Sequence, residues 1–175
     1  MKRALVLGLL VLWNANAGAQ ANCTATGIPS SCTTARTLSM TIRPTVRATI
    51  TPSEFDFNLP TADDYNLGYS QALGHVIQVE SNTTWTLTIR SNATKWTATG
   101  GGNANKLRTD LLWATSAGGP YTPEPGNGTA TALTIASGNA TSSTNVNVYY
   151  RVLWSWTADK PGTYSLPVIF LISAP

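Results

Sequence analysis

Asn145-Val-Asn-Val-Tyr-Tyr-Arg-Val-Leu-Trp-Ser-Trp156 decides the fold class. Val146, Val148, Tyr150, Val152, Trp154 and Trp156 face one way, and Asn147, Tyr149, Arg151, Leu153 and Ser155 face the other. Alternation of this kind in β-branched and aromatic residues marks a strand with one buried face. A turn at Asp159, Lys160, Pro161 and Gly162 follows, and then Tyr164, Leu166, Val168, Phe170 and Ile172 alternate in turn. The pair reads as a terminal hairpin.

Working back towards the N-terminus, residues 73–80 and then Trp85, Leu87 and Ile89 form two more strands, with Asn82 as the turn that joins them antiparallel. Residues 37–51 alternate almost without error. Leu38, Met40, Ile42, Pro44, Val46, Ala48 and Ile50 fall on one side, with mostly Thr, Ser and Arg on the other. Pro44 cannot donate to a ladder, so this segment is either an edge strand or two shorter strands bent at the proline. Residues 51–67 are loop-rich, with 54–57 as a short strand candidate. Residues 107–113 are a strand or crossover, 116–128 a long exposed loop holding Pro120, Pro123 and Pro125, and 133–136 a short strand. No segment carries a 3.6-residue period. About seven to nine strands at short intervals predict an all-β fold, an antiparallel β-sandwich of immunoglobulin-like type.

Lys2 and Arg3 precede an apolar run over residues 4–13, and small residues follow at Ala15, Ala17, Gly18 and Ala19. This is the order of an export signal. The run is about half the ~20 residues needed to span a bilayer, so no transmembrane segment is expected in the mature chain. Three segments result: a signal peptide over 1–19, an N-terminal segment over 20–36, and the sandwich over 37–175. Export places Cys23 and Cys32 in an oxidising compartment, where they pair as a disulfide within the N-terminal segment.

Loss of Lys2 and Arg3 leaves nine of the eleven basic residues against eight acidic ones, a net charge of +1. No Lys/Arg run remains to bind nucleic acid. Charged residues make up only 11% of the chain while threonine occurs 27 times, so hydroxyls and amides carry solubility. Threonine favours extended backbone with a polar tip, which suits the wet face of a strand in an exported protein.

Three stretches resemble bacterial secreted surface sandwiches, including spore-coat-U-like pilin proteins. They are Ile50-Thr-Pro-Ser-Glu-Phe-Asp-Phe57, Trp85-Thr-Leu-Thr-Ile89 and Pro161-Gly-Thr-Tyr-Ser-Leu-Pro-Val-Ile-Phe170. The resemblance runs over residues 38–175 and implies an immunoglobulin-like sandwich at the cell surface. The chain departs from it in lacking cysteines within the sandwich.

Little in the sequence points to catalysis. His75 is the sole histidine, read as a strand-end residue, and no serine sits in a nucleophile-elbow context. Glu54, Asp56, Asp63 and Asp64 cluster within eleven residues, but turn formation and solvent exposure account for them. No metal site, cofactor or enzymatic activity is expected. Two binding surfaces are. Leu38, Met40, Ile42, Val46 and Ile50 form an amphipathic strand that either completes its own sandwich or adds to a neighbouring copy or another envelope protein. Trp96, Trp113 and Tyr121 lie in less regular sequence and either cap the core or stack on glycan rings. The function expected is that of a secreted or cell-surface structural protein, a self-associating pilin-like or surface-layer subunit. The alternative is a carbohydrate-binding or adhesin module.

Overall fold

A computed structural model of the chain describes residues 38–126 and 132–175. The export signal over 1–19 and the Cys23–Cys32 pair lie outside the described residues. Contacts divide the chain into two units, Met1–Thr41 and Ile42–Pro175, and the second is the sandwich.

Alternation along 145–156 builds the centre. β8 (Thr141–Leu153) turns Val146, Val148, Tyr150 and Val152 inward. It pairs antiparallel with β2 (Tyr69–Ser81) on one side and β5 (Leu111–Ala114) on the other. β1 (Val46–Thr51) lies outside β2 and β6 (Thr122–Pro123) outside β5, giving a five-stranded sheet in the order β1-β2-β8-β5-β6. The opposing sheet has the order β10-β3-β7, from Val168–Ser173, Trp85–Ser91 and Leu133–Gly138. β4 (Thr97–Thr99) and β9 (Thr163–Ser165) form a separate two-stranded ladder. The fold is thus an all-β antiparallel sandwich. Its ten strands among the described residues exceed the expected number through β4, β6 and β9, which are two or three residues long.

Ile77, Val79, Leu87, Ile89, Val148 and Val152 are fully buried between the sheets, and Trp85, Trp113 and Tyr150 fill the space around them. Burying each of the aliphatic side chains is worth about 1.5–3 kcal/mol. Gly74 sits at a bulge, where the β2–β8 register slips between Leu73 and His75. Ala72 faces Tyr150 and His75 faces Val148, so the extra residue brings His75 inward. His75 is 9% exposed, a buried ring rather than the strand-end residue expected.

Both expected hairpins are overturned. β2 and β3 occupy opposite sheets, as do β8 and β10. Each of these strands has one strongly apolar face, and crossing between sheets lets those faces pack against each other, which pairing side by side would not do. Ser81 and Asn82 make the first crossing possible. Ser81 Oγ donates to Thr83 O at 2.8 Å and accepts from Thr83 N at 3.2 Å, which satisfies the corner backbone.

Of the described part of the alternating segment, residues 38–51, only Val46–Thr51 enters a ladder. Val46 is opposite Ser81, the last residue of β2, so residues 38–45 have no strand to face among the described residues. Residues 54–57, expected as a short strand, join no ladder; Glu54 lies in a bend, and Phe55 and Phe57 are half-buried. A six-residue helix, α1 (Ala62–Leu67), was not expected. Thr61 and Asp64 form a capping box at its start, and Gly68 closes it at φ 79°, a left-handed conformation suited to glycine.

A methyl group at residue 74 would overlap the ring of the 3%-exposed Tyr150. Gly74→Ala should therefore lower stability by about 1–3 kcal/mol in urea unfolding. Gly118→Ala should be nearly neutral, because its added methyl meets nothing within 4 Å.

Candidate functional site

Residues 38–45 join no ladder among the described residues, and their apolar members stand in water. Leu38, Met40 and Ile42 are 98%, 82% and 71% exposed. Where this segment joins β1, Asn82 takes the place of a neighbouring strand. Its Nδ2 donates to Arg43 O at 2.9 Å, its Oδ1 accepts from Thr45 N at 2.8 Å, and its own backbone N–H donates to Thr45 O. The five residues expected on one contact face therefore divide. Leu38, Met40 and Ile42 are exposed, while Val46 and Ile50 pack against the core.

The same domain has an open sheet edge. Among the described residues, β10 pairs with β3 on one side and with no strand on the other. Between residues 53–60 and 162–168 lies a cleft of about 720 Å³, lined in part by Phe55, Phe57, Trp96, Trp154, Tyr164 and Leu166. His75 is at its base, with edge-on contacts to Tyr150 and Phe170 at 5.6 Å and to Phe55 at 6.1 Å. Its Nδ1 is 3.0 Å from Pro52 O. Burial lowers the His75 pKa, against the raising effect of that hydrogen bond, and favours a neutral ring at pH 7. Glu54 and Asp56 remain exposed at the mouth.

Trp96, Trp113 and Tyr121 do not share a surface. Trp96 is half-buried in the cleft wall, and Trp113 is 7% exposed within the core. Tyr121 lies on the outer face of the larger sheet, because its ring covers the guanidinium of Arg151, which alternates with inward-facing Tyr150 and Val152. Arg151 is held between Tyr121 and Tyr69, 4.1 and 4.0 Å from the ring centres, and donates to Gln71 Oε1 at 2.8 Å.

Sequence reasoning missed two buried charge sites. Glu124, within the proline-rich loop expected to be exposed, is 1% exposed. Its backbone N–H donates to Leu111 O, continuing the β5–β6 pairing and carrying the side chain to the core side with Leu111. Pro123 and Pro125 flank it, and a residue before proline is held extended, a local signal for strand that was outweighed by reading the prolines as marks of an exposed loop. Neither carboxylate oxygen has a hydrogen-bond partner among the described residues. Burial, partly opposed by Arg108, pushes the Glu124 pKa up to about 8. The carboxyl is therefore neutral at pH 7.

The second site is an ion pair between Lys106 and Asp159, 2.9 Å apart, with side chains 2% and 5% exposed. Lys106 Nζ also donates to Leu153 O at 2.6 Å and lies 4.6 Å from the Trp154 ring centre. Asp159 Oδ2 accepts from Ser155 N at 2.8 Å. The pair clamps the 155–159 turn to the end of β8. Lys106 and Asp159 are 53 residues apart, so no local spacing signals their pairing.

Two measurements check these sites. Glu124 has a folded pKa raised from 4.5 to about 8, so its stability contribution is complete below pH 4.5 and is lost as pH rises through 8. Above pH 6.5 the His75 contribution is constant, and stability should fall by up to about 1.4 kcal/mol per pH unit until pH 8, then level off. Glu124→Gln should flatten this slope in urea titrations. Asp159→Asn should cost about 3–5 kcal/mol, since it leaves a buried lysine charge without its counterion. No protein-family model matches this chain, and no curated protein matches it.

Proposed function

We propose that the protein is a non-enzymatic structural subunit, exported to the cell surface or beyond, that self-associates by strand addition. Residues 38–44 of one copy add to the open β10 edge of another and lay alternate side chains into the cleft beside it. The observation that carries this is the exposure of Leu38, Met40 and Ile42, at 98%, 82% and 71%, in a segment without a ladder partner.

Isolated exposed leucines are ordinary, but three apolar residues at a spacing of two form a strand face. Burying each is worth about 1.5–3 kcal/mol, and backbone hydrogen bonds to an open edge supply register and further affinity. Seven extended residues span about 23 Å, comparable to the six-residue edge of β10. The cleft presents Phe55, Phe57, Tyr164 and Leu166 to such a strand. A mature net charge near +1 puts little repulsion between copies. The export signal and the resemblance to secreted surface sandwiches agree with this role. No helix among the described residues is long and apolar enough to cross a membrane.

Replacing Leu38, Met40 and Ile42 together by Asn should leave the urea midpoint of the domain nearly unchanged, because all three lie outside its ladders. Wild-type protein should sediment as oligomers or appear as filaments in electron micrographs, and the triple variant as monomers. Wild-type protein that stays monomeric at high concentration, or a variant that assembles equally well, would sink the proposal.

A further inference from the structure

Trp156 belongs to the alternating pattern of 145–156, yet β8 ends at Leu153 and leaves this indole 61% exposed. It does not hang freely. The Tyr65 ring stacks on it at 4.6 Å between centres with 28° between planes, and its Nε1 donates to Asn66 Oδ1 at 3.3 Å.

Both rings stand on firmly tied supports. Tyr65 is on α1, closed at one end by the Thr61–Asp64 capping box and at the other by Gly68. Trp156 is in the 155–159 turn, where Asp159 N donates to Ser155 O at 3.0 Å and the buried Lys106–Asp159 pair anchors the turn. Trp154 N donates to Gly68 O at 2.9 Å and ties the two supports together. An extensively bonded turn and a capped helix thus present an aromatic plane to water.

We propose that Trp156 and Tyr65 form a binding platform for a neutral carbohydrate, with a pyranose ring laid on the open face of the indole. An indole face matches the C–H face of a sugar ring, and neighbouring amides and hydroxyls match its equatorial hydroxyls. The exposed Asn66 uses its carbonyl on Trp156 and keeps its NH₂ as a donor for a ligand. Ser155 and Thr157, the chain neighbours of Trp156, carry hydroxyls that lie 3.3 Å from each other. The carboxylates of Asp64 and Asp159 are engaged by Thr61 and by Lys106 and Ser155, so the platform favours a neutral sugar over an acidic one. This site is separate from the strand-addition surface and adds an adhesive function to the subunit. It also replaces Trp96, Trp113 and Tyr121 as the aromatic group suited to a glycan.

The test uses the mature protein carrying the Asn substitutions at Leu38, Met40 and Ile42, alongside wild type. Each is applied to an array of neutral hexose and N-acetylhexosamine oligosaccharides, with acidic oligosaccharides and a proline-rich peptide in parallel. Binding to a neutral glycan by both proteins is expected, with a shift of the Trp156 indole N–H resonance identified through Trp156→Phe. Trp156→Ala should weaken binding about tenfold or more and Tyr65→Ala by a smaller factor, while Trp156→Tyr retains most of it. Unchanged urea midpoints would exclude unfolding as the cause. Four outcomes would overturn the proposal: no glycan bound, glycan binding indifferent to Trp156→Ala, binding of the proline-rich peptide alone, or Trp156 covered by a second copy in the wild-type oligomer. A failure of strand addition alone would leave glycan binding intact.

Discussion

Three residues, 82–84, carry the chain from β2 in one sheet to β3 in the other, and the rest of the architecture depends on that crossing. It places the apolar face of Trp85, Leu87 and Ile89 over that of Ile77, Val79, Val146 and Val148. It also ends β2 at Ser81, which limits how much of the preceding segment can pair. The free segment before Val46 and the packed core are two results of one short corner. Ser81 and Asn82 supply hydrogen bonds where both ladders stop, since a corner with unsatisfied backbone groups would be costly.

Polar groups inside this sandwich are handled in two ways. Lys106 and Asp159 retain charge, because each finds the other together with a backbone partner. Their desolvation is offset by geometry, and the product is a defined turn at the end of β8. Glu124 has no such partner and resolves the problem by holding its proton. Tyr150 adjoins this problem. Its hydroxyl is buried without a hydrogen-bond partner among the described residues, and its pKa is raised by burial and then by Glu124.

The surface reflects the scarcity of charge. With 11% charged residues, the chain keeps few ions to discourage contact, and its most exposed apolar groups among the described residues lie outside the ladders of the sandwich. Leu38, Met40 and Ile42 precede β1, while Trp156 follows β8. The first set suits a strand-shaped partner and the second a flat one. The proposed assembly rests on the first geometry and the proposed sugar platform on the second.

Local chemistry was legible in the sequence. Residues 145–153 alternate because a strand with one wet face must, and β-branched and aromatic side chains at those positions left no helical alternative. Strands near 73–80, 85–89 and 133–136 followed from the same period, as did the all-β class, whereas the single strand expected over 164–172 is two, β9 beside β4 and β10 beside β3. Which strands pair was not legible, because period two states that a face is buried without stating what covers it. Both hairpins were misread for this reason. Trp154 and Trp156 continue the pattern of β8, but the ladder stops at Leu153 and burial stops soon after. Leu38 to Ile50 likewise reads as one uninterrupted strand, yet only the part opposite β2 is paired. The sequence by itself determined the strands and their apolar faces, because backbone sterics and side-chain alternation act between near neighbours. Only the tertiary structure decided the partners, the burial of His75 and Glu124, and the exposure of Ile42 and Trp156, because each depends on where a distant strand begins or ends.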